Sequence, residues 1–313
     1  MSGAAAPEWL ESARRQAEAG FDLSAWSERR LARVEQALSD WVVADAPAGL
    51  GDAMRYAVLD GGKRLRPLLV LAACQAVNGN EEAALRAACS VELIHAYSLV
   101  HDDMPCMDND VLRRGKPTVH VKYGEAQALL AGDALQALAF ELLAPETPEI
   151  GPDVQAKLCR LLARAAGHAG MAGGQAIDLA SVGRALDEAQ LREMHRRKTG
   201  SLLQGSVMMG VACGETEKTA ESALANYGSA VGLAFQVVDD ILDVTADSAT
   251  LGKTAGKDAA QEKPTYVSLL GLKGSAAFAR TLLHEALQAL WASGLQETRA
   301  LHALAIMVVD RDN

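Results

Sequence analysis

The sequence contains few aromatic residues and no segment in which apolar and polar residues alternate. Phe, Trp and Tyr make up only 4% of its 313 residues, although half of the residues are apolar. Ala, Leu and Val carry most of this apolar content. Because β-sheets are enriched in aromatic and β-branched residues whereas Ala and Leu favour helices, the composition predicts an all-α protein.

Paired cysteines and an excess of positive charge are also missing. The five cysteines are odd in number and include no Cys-x-x-Cys pair, which disfavours a disulfide framework or a structural zinc site and fits a reducing compartment. The net charge of −10 disfavours binding to nucleic acids or to an anionic membrane surface. Anionic substrates are not excluded, because local cations or a bound metal ion can reverse the field at one site.

The sequence gives no sign of a membrane span or a targeting segment. No apolar stretch approaches the roughly 18 residues needed to cross a bilayer. The N-terminus lacks the layout of a secretory signal, and its acidic residues argue against a transit peptide. These are Glu8, Glu11, Glu18 and Asp22. We therefore expect a cytoplasmic protein that binds neither nucleic acid nor membrane.

Apolar residues at steps of three and four predict helices along most of the chain. The pattern begins at Ser24, so we expect an N-terminal extension over 1–23 and one folded domain over 24–313. Pro67 suits the first position of a helix, whereas Pro105 would end one because it lacks a backbone donor. The helical patterns cover approximately 67–78, 81–104, 124–143, 152–172, 187–212, 217–245, 275–293 and 296–309. Together they predict a single-domain helical bundle.

Two clusters of aspartates interrupt apolar helical segments. In the second cluster, Asp239 and Asp243 are four residues apart, so they share a helix face on which Gln236 also lies. With Asp240, three carboxylates fall within five residues and repel one another unless a cation lies between them. Hard oxygen ligands suit magnesium, whose coordination is usually completed by water and substrate phosphates.

The first cluster contains Asp102, Asp103 and Asp108. On a continuous helix Asp102 and Asp108 would point about 240° apart, so they can share a metal ion only if the chain leaves the helix between them. Pro105 lies where that break is needed, at the start of a polar loop over 105–118. Either cluster alone could be a solvated helix face, but two clusters inside apolar helices favour a metal site.

Basic residues accompany the acidic clusters. The segment Gly61-Gly62-Lys63-Arg64-Leu65-Arg66-Pro67 places three cations where a helix begins, and a helix N-terminus favours an anion. A basic surface turn is the alternative. Arg113 and Arg114 point in different directions, so each could clamp a separate phosphate group. Further cations are Lys198, Lys253 and Lys263.

His95 lies on the same helix face as Asp102, seven residues earlier and about 10 Å away along the axis. It is too distant to share a metal ion with Asp102, but it could contact a second anion. A core or surface role is the alternative for a single histidine on a helix. The residues by themselves therefore support magnesium and an anionic ligand, and no more specific function.

In their order along the chain, these motifs resemble those of the trans-isoprenyl diphosphate synthases, and most closely the bacterial farnesyl diphosphate synthases. The resemblance covers approximately 25–310. Besides the glycine-rich segment at 61–67 and the first aspartate cluster, it rests on Arg-Arg-Gly-Lys-Pro-Thr at 113–118, Gly-Gly-Gln-x-x-Asp-Leu at 173–179, Lys-Thr-Gly at 198–200 and Phe-Gln-x-x-Asp-Asp-Ile-Leu-Asp at 235–243. It implies an isoprenoid synthase-type helical bundle with a central active-site cavity, and a homodimer.

The resemblance also implies roles for the motif residues. Three magnesium ions would be held by Asp102, Asp108 and Asp239, with Asp103, Asp240 and Asp243 near or behind them. The allylic diphosphate would contact Arg113, Lys198, Lys253 and Lys263. Isopentenyl diphosphate would contact Lys63, Arg66, His95 and Arg114. The residues facing the reacting carbons would be Thr199 and Gln236, which with Lys198 form the expected catalytic set.

The implied reaction joins isopentenyl diphosphate to dimethylallyl and then geranyl diphosphate, giving (2E,6E)-farnesyl diphosphate. Cations and metal ions would stabilise the charge on the leaving oxygens, and the released diphosphate is the natural proton acceptor. A terpene cyclase would not need the second diphosphate site formed by Lys63, Arg66 and His95. A non-catalytic synthase subunit would have lost an aspartate motif or the arginine pair, and this chain keeps them all.

In the family, bulky residues just before the first aspartate motif form the floor of the pocket for the prenyl tail. Here those residues are Tyr97 and Ser98. On a helical wheel Ser98 lies about 40° from Asp102, but Tyr97 lies about 140° away, so only the family pattern places Tyr97 at the floor. That pattern favours a C15 product. A C20 product stays open because some geranylgeranyl diphosphate synthases have the same residues in the first aspartate motif.

Overall fold

The computed structural model describes residues 20–59, 61–184, 186–245 and 264–310, and within them the chain is almost entirely helical. The helices are α1 (Leu23–Trp41), α2 (Leu50–Val58), α3 (Leu65–Ala76), α4 (Glu81–Asp102), α5 (Val119–Tyr123), α6 (Glu125–Leu143), α7 (Pro152–Ala166), α8 (Met171–Ala180), α9 (Glu188–His195), α10 (Ser201–Ala212), α11 (Lys218–Thr245), α12 (Tyr266–Ala292) and α13 (Arg299–Val309). A short 3₁₀ turn over Pro47–Gly49 precedes α2, and a π-helical turn over Arg196–Gly200 joins α9 to α10. The predicted all-α class is confirmed.

Several helix starts follow the capping residues in the sequence. The Asp22 side chain accepts a hydrogen bond from the N–H of Ala25 at the start of α1, and Asn80 does the same for Ala83 at the start of α4. Each such cap is worth about 1 kcal/mol. The start of α1 at Leu23 lies one residue from the predicted start at Ser24. Most of the extension predicted over 1–23 lies outside the described residues.

Several predicted helical segments have different bounds in the structure. Helix α3 begins at Leu65, so Pro67 is its third residue and not the predicted first one. The segment over 152–172 is divided, because α7 ends at Ala166 and α8 starts at Met171. A Cβ on Gly170 would lie 2.1 Å from the carbonyl oxygen of Ala165, so the tight turn between the two helices depends on glycine at that position. The segment over 187–212 contains the π-helical turn, and α12 begins nine residues before the predicted 275.

The loop predicted over 105–118 contains a two-stranded antiparallel ribbon, which the pattern of apolar and polar residues did not indicate. Strand β1 (Leu112–Arg113) pairs with β2 (Lys116–Pro117). Arg114 and Gly115 connect them with φ values of 52° and 75°, as a tight two-residue hairpin requires. Strands of two residues are too short to produce a visible alternation of apolar and polar residues.

The core is formed by two clusters of buried apolar side chains. One lies mainly between α1, α2, α4, α6 and α7, and the other between α3, α10, α11, α12 and α13. Helix α4 is central to the first cluster and carries the first aspartate motif at its C-terminal end. The position of that motif is therefore fixed by a helix that is buried along most of its length.

Arg64, the second cation of the glycine-rich segment, is directed into this core. It is 5% exposed, and its guanidinium donates to Glu92 at 2.6 Å, to Glu35 at 2.6 Å and to the carbonyl of Val58 at 2.5 Å. Burial disfavours the charged guanidinium, but these acceptors outweigh that effect and raise the pKa of Arg64. Arg64 therefore ties α3 to α1 and α4, and it is not one of the cations that face the cavity.

Two helices have the length and composition of a membrane span, contrary to the expectation from the sequence. They are α4, whose most apolar 18-residue window is 67% buried in the protein, and α6, whose window is 39% buried. This finding is weak evidence for a membrane location, because helices in protein cores satisfy the same two criteria. The extensive burial of α4 is typical of such a core helix.

Candidate active site

A cavity of about 390 Å³ lies between α4, α8 and the π-helical turn. Helix α4 contributes Tyr97, Ser98 and Asp102 to its wall, and the π-helical turn contributes Lys198 and Thr199. Helix α8 lines it with a mostly apolar face formed by Met171, Ala172, Gln175, Ala176 and Leu179. The cavity thus has acidic, basic and apolar surfaces, which suits a ligand with a charged head and an apolar tail.

The first aspartate cluster converges because the chain leaves the helix after Asp102. The N–H of Asp108 bonds to the carbonyl oxygen of Asp102 at 2.8 Å, and that of Asp110 bonds to the carbonyl of Asp103 at 3.1 Å. The segment around Pro105 therefore folds back on the end of α4, which is the break that the spacing requires. The spacing of the aspartates predicts this break, but it does not predict the backbone hydrogen bonds that hold the segment in place.

The electrostatics of Asp102 fit a cation site. Burial raises its pKa to about 6, and the charge of Asp108 contributes in the same direction while Lys198 opposes it. A cation between the two carboxylates would relieve both effects. In the part of the chain that the structure describes, no three acidic, histidine or cysteine side chains form a complete metal site. Asp102, Asp108 and Asp239 are therefore not brought together as a ready-made site, and the magnesium ions that they would hold stay a prediction.

Lys198 is held beside these carboxylates by Asp178 on α8. The Lys198 ammonium donates to the Asp178 carboxylate at 2.5 Å. Burial disfavours the ammonium, but the charge of Asp178, its hydrogen bond and the fields of Asp102 and Asp108 outweigh this effect and raise the pKa of Lys198. Lys198 therefore stays protonated at neutral pH and presents a fixed positive charge at the cavity.

The backbone of Lys198 is positioned by a glycine on α8. A Cβ on Gly174 would lie only 2.1 Å from the backbone nitrogen of Lys198, so α8 can approach the π-helical turn only with glycine there. Helix α11 approaches from the other side, where a Cβ on Gly232 would lie 2.9 Å from Cα of Gly200. The turn that carries Lys198 and Thr199 is thus held between two helices.

Thr199 connects this turn to the second aspartate motif. Its hydroxyl donates to Oε1 of Gln236 at 2.8 Å, and Nε2 of Gln236 donates to Oδ1 of Asp240 at 2.8 Å. The other oxygen of Asp240 accepts the backbone N–H of Tyr266 at 2.8 Å. Asp240 is 2% exposed and its oxygens are engaged within the protein, so it orients Gln236, and its place behind the metal ligands stays a prediction.

The remaining two aspartates of the second motif differ in exposure. Asp243 is 4% exposed, whereas Asp239 is only partly buried. Asp239 follows Gln236 by three residues on α11, and Gln236 is the member of this motif that bonds to Thr199. The structure therefore brings the second motif to the π-helical turn, and the turn brings Lys198 to the first motif.

Arg113 is paired with the first motif inside the protein. Its Nε donates to both oxygens of Asp103, at 3.0 and 2.9 Å, and its Nη2 donates to Oδ1 at 2.6 Å. Asp103 is 3% exposed, so this pair ties β1 to the end of α4. Contact between Arg113 and the allylic diphosphate stays a prediction, and binding there would have to share the guanidinium with Asp103.

A second group that can bind an anion is formed by Arg66, His95 and Arg114. Arg66 and His95 both line the cavity. Burial lowers the pKa of His95 well below its usual range, and the charges of Arg66 and Arg114 lower it further. His95 is therefore neutral at pH 7 and can offer a ring N–H to an anion, while the two arginines supply the charge.

Arg114 is placed by the glycine turn before α3. Its guanidinium donates to the carbonyl oxygen of Gly61, and a Cβ on Gly62 would lie 2.9 Å from the same guanidinium. Lys63 is exposed on this turn and is not part of the cavity wall. Lys253 and Lys263, which were expected to contact the allylic diphosphate, lie outside the described residues.

Three residues of the segment 173–179 belong to the family resemblance, which by itself predicts no role for them. Gly174 positions the backbone of Lys198, Gln175 lines the cavity, and Asp178 binds the Lys198 ammonium. The signal that could have found the last two was the spacing of three between Gln175 and Asp178, which places both on one side of a helix.

Comparisons with known proteins identify relatives over most of the chain. Residues 47–301 match the family model described as polyprenyl synthetase. The chain is 48% identical over 285 residues to a probable farnesyl diphosphate synthase of Sinorhizobium fredii, covering 89% of this chain and 85% of the relative. It is 44% identical over 307 residues to a chloroplastic geranylgeranyl pyrophosphate synthase of Capsicum annuum, covering 98% of this chain and 83% of the relative.

Solved structures of related proteins have the same fold. An FPP/GFPP synthase from Zymomonas mobilis has a TM-score of 0.82 at 40% identity, and the match covers 92% of this chain and 98% of the other. A geranyltransferase from Helicobacter pylori, complexed with magnesium and isoprenyl diphosphate, has a TM-score of 0.81 at 35% identity, with coverage of 92% and 97%. The predicted helical architecture is therefore that of prenyl synthases.

Proposed function

Because the chain belongs to the polyprenyl synthetase family and has its trans-prenyl diphosphate synthase activity, we propose that its product is (2E,6E)-farnesyl diphosphate. It would join isopentenyl diphosphate first to dimethylallyl diphosphate and then to geranyl diphosphate. The observation that carries this proposal is that two anion-binding groups reach one cavity. Lys198 lies beside the first aspartate motif, and Arg66 with His95 forms the second group.

The reaction needs two diphosphates in that cavity, one on the allylic substrate and one on isopentenyl diphosphate. The C1–O bond of the allylic substrate breaks, and its electron pair stays on the leaving diphosphate. The double bond of isopentenyl diphosphate then supplies the electrons of the new C–C bond. The resulting cation loses a proton to the released diphosphate, which leaves a new double bond. No further oxidant or reductant is needed.

The chain's own residues would act on the leaving group through fixed positive charge. Lys198 is held by Asp178, and at an effective dielectric constant near 20 two unit charges 4 Å apart interact by about 4 kcal/mol. Magnesium, when held by Asp102, Asp108 and Asp239, would stabilise the charge on the same diphosphate. We expect three ions. Thr199 and Gln236 hold each other by a hydrogen bond and would face the reacting carbons.

The C15 product is supported by Tyr97 in the cavity wall. Its ring lies edge-on to that of His101, with centroids 5.7 Å apart, and burial raises the pKa of the Tyr97 phenol while a bond with Gln136 opposes this. A bulky ring held by two neighbours would stop a growing prenyl tail. The alternative is a C20 product, which is favoured by the names of the relatives that are geranylgeranyl pyrophosphate synthases.

A homodimer is proposed as the functional form. Helix α6 exposes Leu129 and Leu130 by 47% and 53%, and Val111, Leu112 and Val121 are exposed by 49% to 57%. Exposed large apolar side chains mark interaction surfaces, and a second copy of the chain would cover Leu129 and Leu130 of α6. Light scattering of the purified chain at micromolar concentration tests the proposal, and a mass of one protomer would refute it.

The decisive experiment is the product profile of the purified chain with magnesium, dimethylallyl diphosphate and isopentenyl diphosphate. We expect diphosphate release together with C10 and C15 products. Predominant C20 would favour the geranylgeranyl alternative. A cyclase would release diphosphate from geranyl or farnesyl diphosphate without isopentenyl diphosphate, and a non-catalytic subunit would release none. The matched control is Asp102→Asn, which removes one proposed metal ligand and should reduce turnover by at least about 100-fold.

A further inference from the structure

Gln175 is a buried amide with no role in the reaction as described so far. It lies on α8 and forms part of the cavity wall. Its Oε1 and Nε2 are both buried, and neither has a hydrogen-bond partner among the described residues. Burial in this state is unfavourable, because water is removed from both atoms and nothing replaces it. A buried polar group that lacks a hydrogen-bond partner beside a cavity is a candidate for a contact made only with a ligand.

The neighbours of Gln175 on α8 locate it along the cavity. Gly174 touches the backbone of Lys198, since a Cβ there would lie 2.1 Å from its nitrogen and 2.4 Å from its Cα. Asp178, one turn later, reaches the Lys198 ammonium, which lies in the field of Asp102 and Asp108. Gln175 therefore lies about 4.5 Å along α8 from the diphosphate end, next to the turn that carries Thr199.

The other side chains that α8 presents to the cavity are Met171, Ala172, Ala176 and Leu179. They suit a prenyl tail, but neither they nor the tail can hydrogen-bond to an amide. With the neutral hydrocarbon of the substrate in place, Gln175 would remain unsatisfied. The species that changes this is the allylic cation, whose positive charge is shared by C1 and C3 beside the diphosphate.

We propose that the amide oxygen of Gln175 stabilises the allylic cation, which makes Gln175 a further catalytic residue. The proposal rests on the proposed function, because it requires heterolysis of the allylic C1–O bond with the electron pair leaving on the diphosphate. The oxygen is the negative end of the amide dipole. Where bound substrate excludes water from the cavity, its attraction to a cation is strong, and it favours the charged species over the neutral substrate.

Binding of two substrate analogues tests this directly. One is a dimethylallyl diphosphate analogue with an ammonium nitrogen at the charged carbon, and the other is its neutral carbon isostere. Gln175→Met keeps the length of the side chain and removes the amide. The control is Gln127→Met on α6, because Gln127 also has a buried oxygen without a partner but does not line the cavity.

We expect the wild type and Gln127→Met to prefer the ammonium analogue, measured by calorimetry with magnesium present. Gln175→Met should lose about tenfold of that preference, with affinity for the neutral isostere unchanged within about twofold. Equal weakening of both analogues would assign Gln175 to packing alone and overturn the proposal. An unchanged preference in Gln175→Met would also overturn it.

Kinetics provide a second, independent readout. We expect kcat of Gln175→Met to fall about tenfold while KM for dimethylallyl diphosphate changes less than about twofold. If Gln175→Met does not fold, Gln175→Asn withdraws the amide by one methylene, and wild-type values for both analogues would then refute the proposal. A wild type without prenyl product would refute the proposed function itself, whereas an active wild type with an insensitive Gln175→Met refutes only this inference.

Discussion

Gly174 provides the sharpest test of how the site is positioned. Gly174→Ala adds one methyl group where α8 meets the π-helical turn. That carbon would lie 2.1 Å from the nitrogen and 2.4 Å from Cα of Lys198, whereas ordinary contact begins at 3.4 Å. Both neighbouring atoms belong to the backbone, so the clash cannot be relieved by a side-chain rotation. The turn or the helix must move by more than 1 Å.

The size of the effect follows from this displacement. Overpacking of a well-packed contact costs about 1 to 3 kcal/mol of folding stability. A misplacement of about 1 Å can reduce turnover about 100-fold, because catalysis depends on the alignment of the reacting groups. The displaced backbone carries Lys198 and Thr199, so we expect kcat to fall at least about tenfold, well beyond what the loss of stability would cause at 25 °C.

The assay is release of diphosphate from dimethylallyl and isopentenyl diphosphates, combined with denaturant unfolding of the same preparations. Gly151→Ala is the matched control, because its Cβ would meet nothing within 4 Å and its φ of −63° suits any residue. We expect Gly151→Ala to behave as the wild type. Wild-type kcat in a folded Gly174→Ala protein would show that the close approach of α8 does not position the turn.

Three further outcomes are expected. Tyr97→Ala should lengthen the product because it removes the ring from the cavity wall, and unchanged C15 output by chromatography would exclude Tyr97 from the floor. Glu92→Gln should reduce unfolding free energy by about 3 kcal/mol because it leaves the buried Arg64 charge with fewer partners. Glu35→Gln should reduce the unfolding free energy by less than about 1 kcal/mol, because the Glu35 side chain is 37% exposed. Equal losses of unfolding free energy in Glu92→Gln and Glu35→Gln would contradict the deeper burial of Glu92. Chelation of magnesium should stop product formation and its addition should restore it; turnover that persists in the chelator would refute a metal-dependent ionisation.

The periodicity of the sequence was sufficient to predict the helices that contain the two aspartate motifs. The predicted segment 217–245 agrees with α11 to one residue, and the break at Pro105 is present after α4. Both features are local, since they depend on the spacing of apolar residues and on the missing N–H of proline. The division between α7 and α8 was missed because it depends on a tight backbone turn at Gly170, which apolar spacing does not report.

Tyr97 and Arg64 show where residue type and spacing give incomplete answers. An ideal helical wheel separates Tyr97 from Asp102 by about 140°, yet both line the cavity, because the cavity extends around α4. Arg64 has the same motif context as Arg66, but its guanidinium enters the core to meet Glu92 and Glu35. Which cation faces a ligand depends on acceptors elsewhere in the chain.

The two aspartate clusters, the basic segments and the helical class can all be read from the amino-acid order, because each depends on residue type and on spacing within one element. The family resemblance adds the roles of these residues. The tertiary structure alone determines that the π-helical turn over Arg196–Gly200 joins the two motifs, with Lys198 facing Asp102 and Thr199 bound to Gln236. It also places Asp178 and Gly174 of α8 in contact with Lys198 on that turn. Contacts between separate helices are set by packing and leave no periodic signal in the sequence.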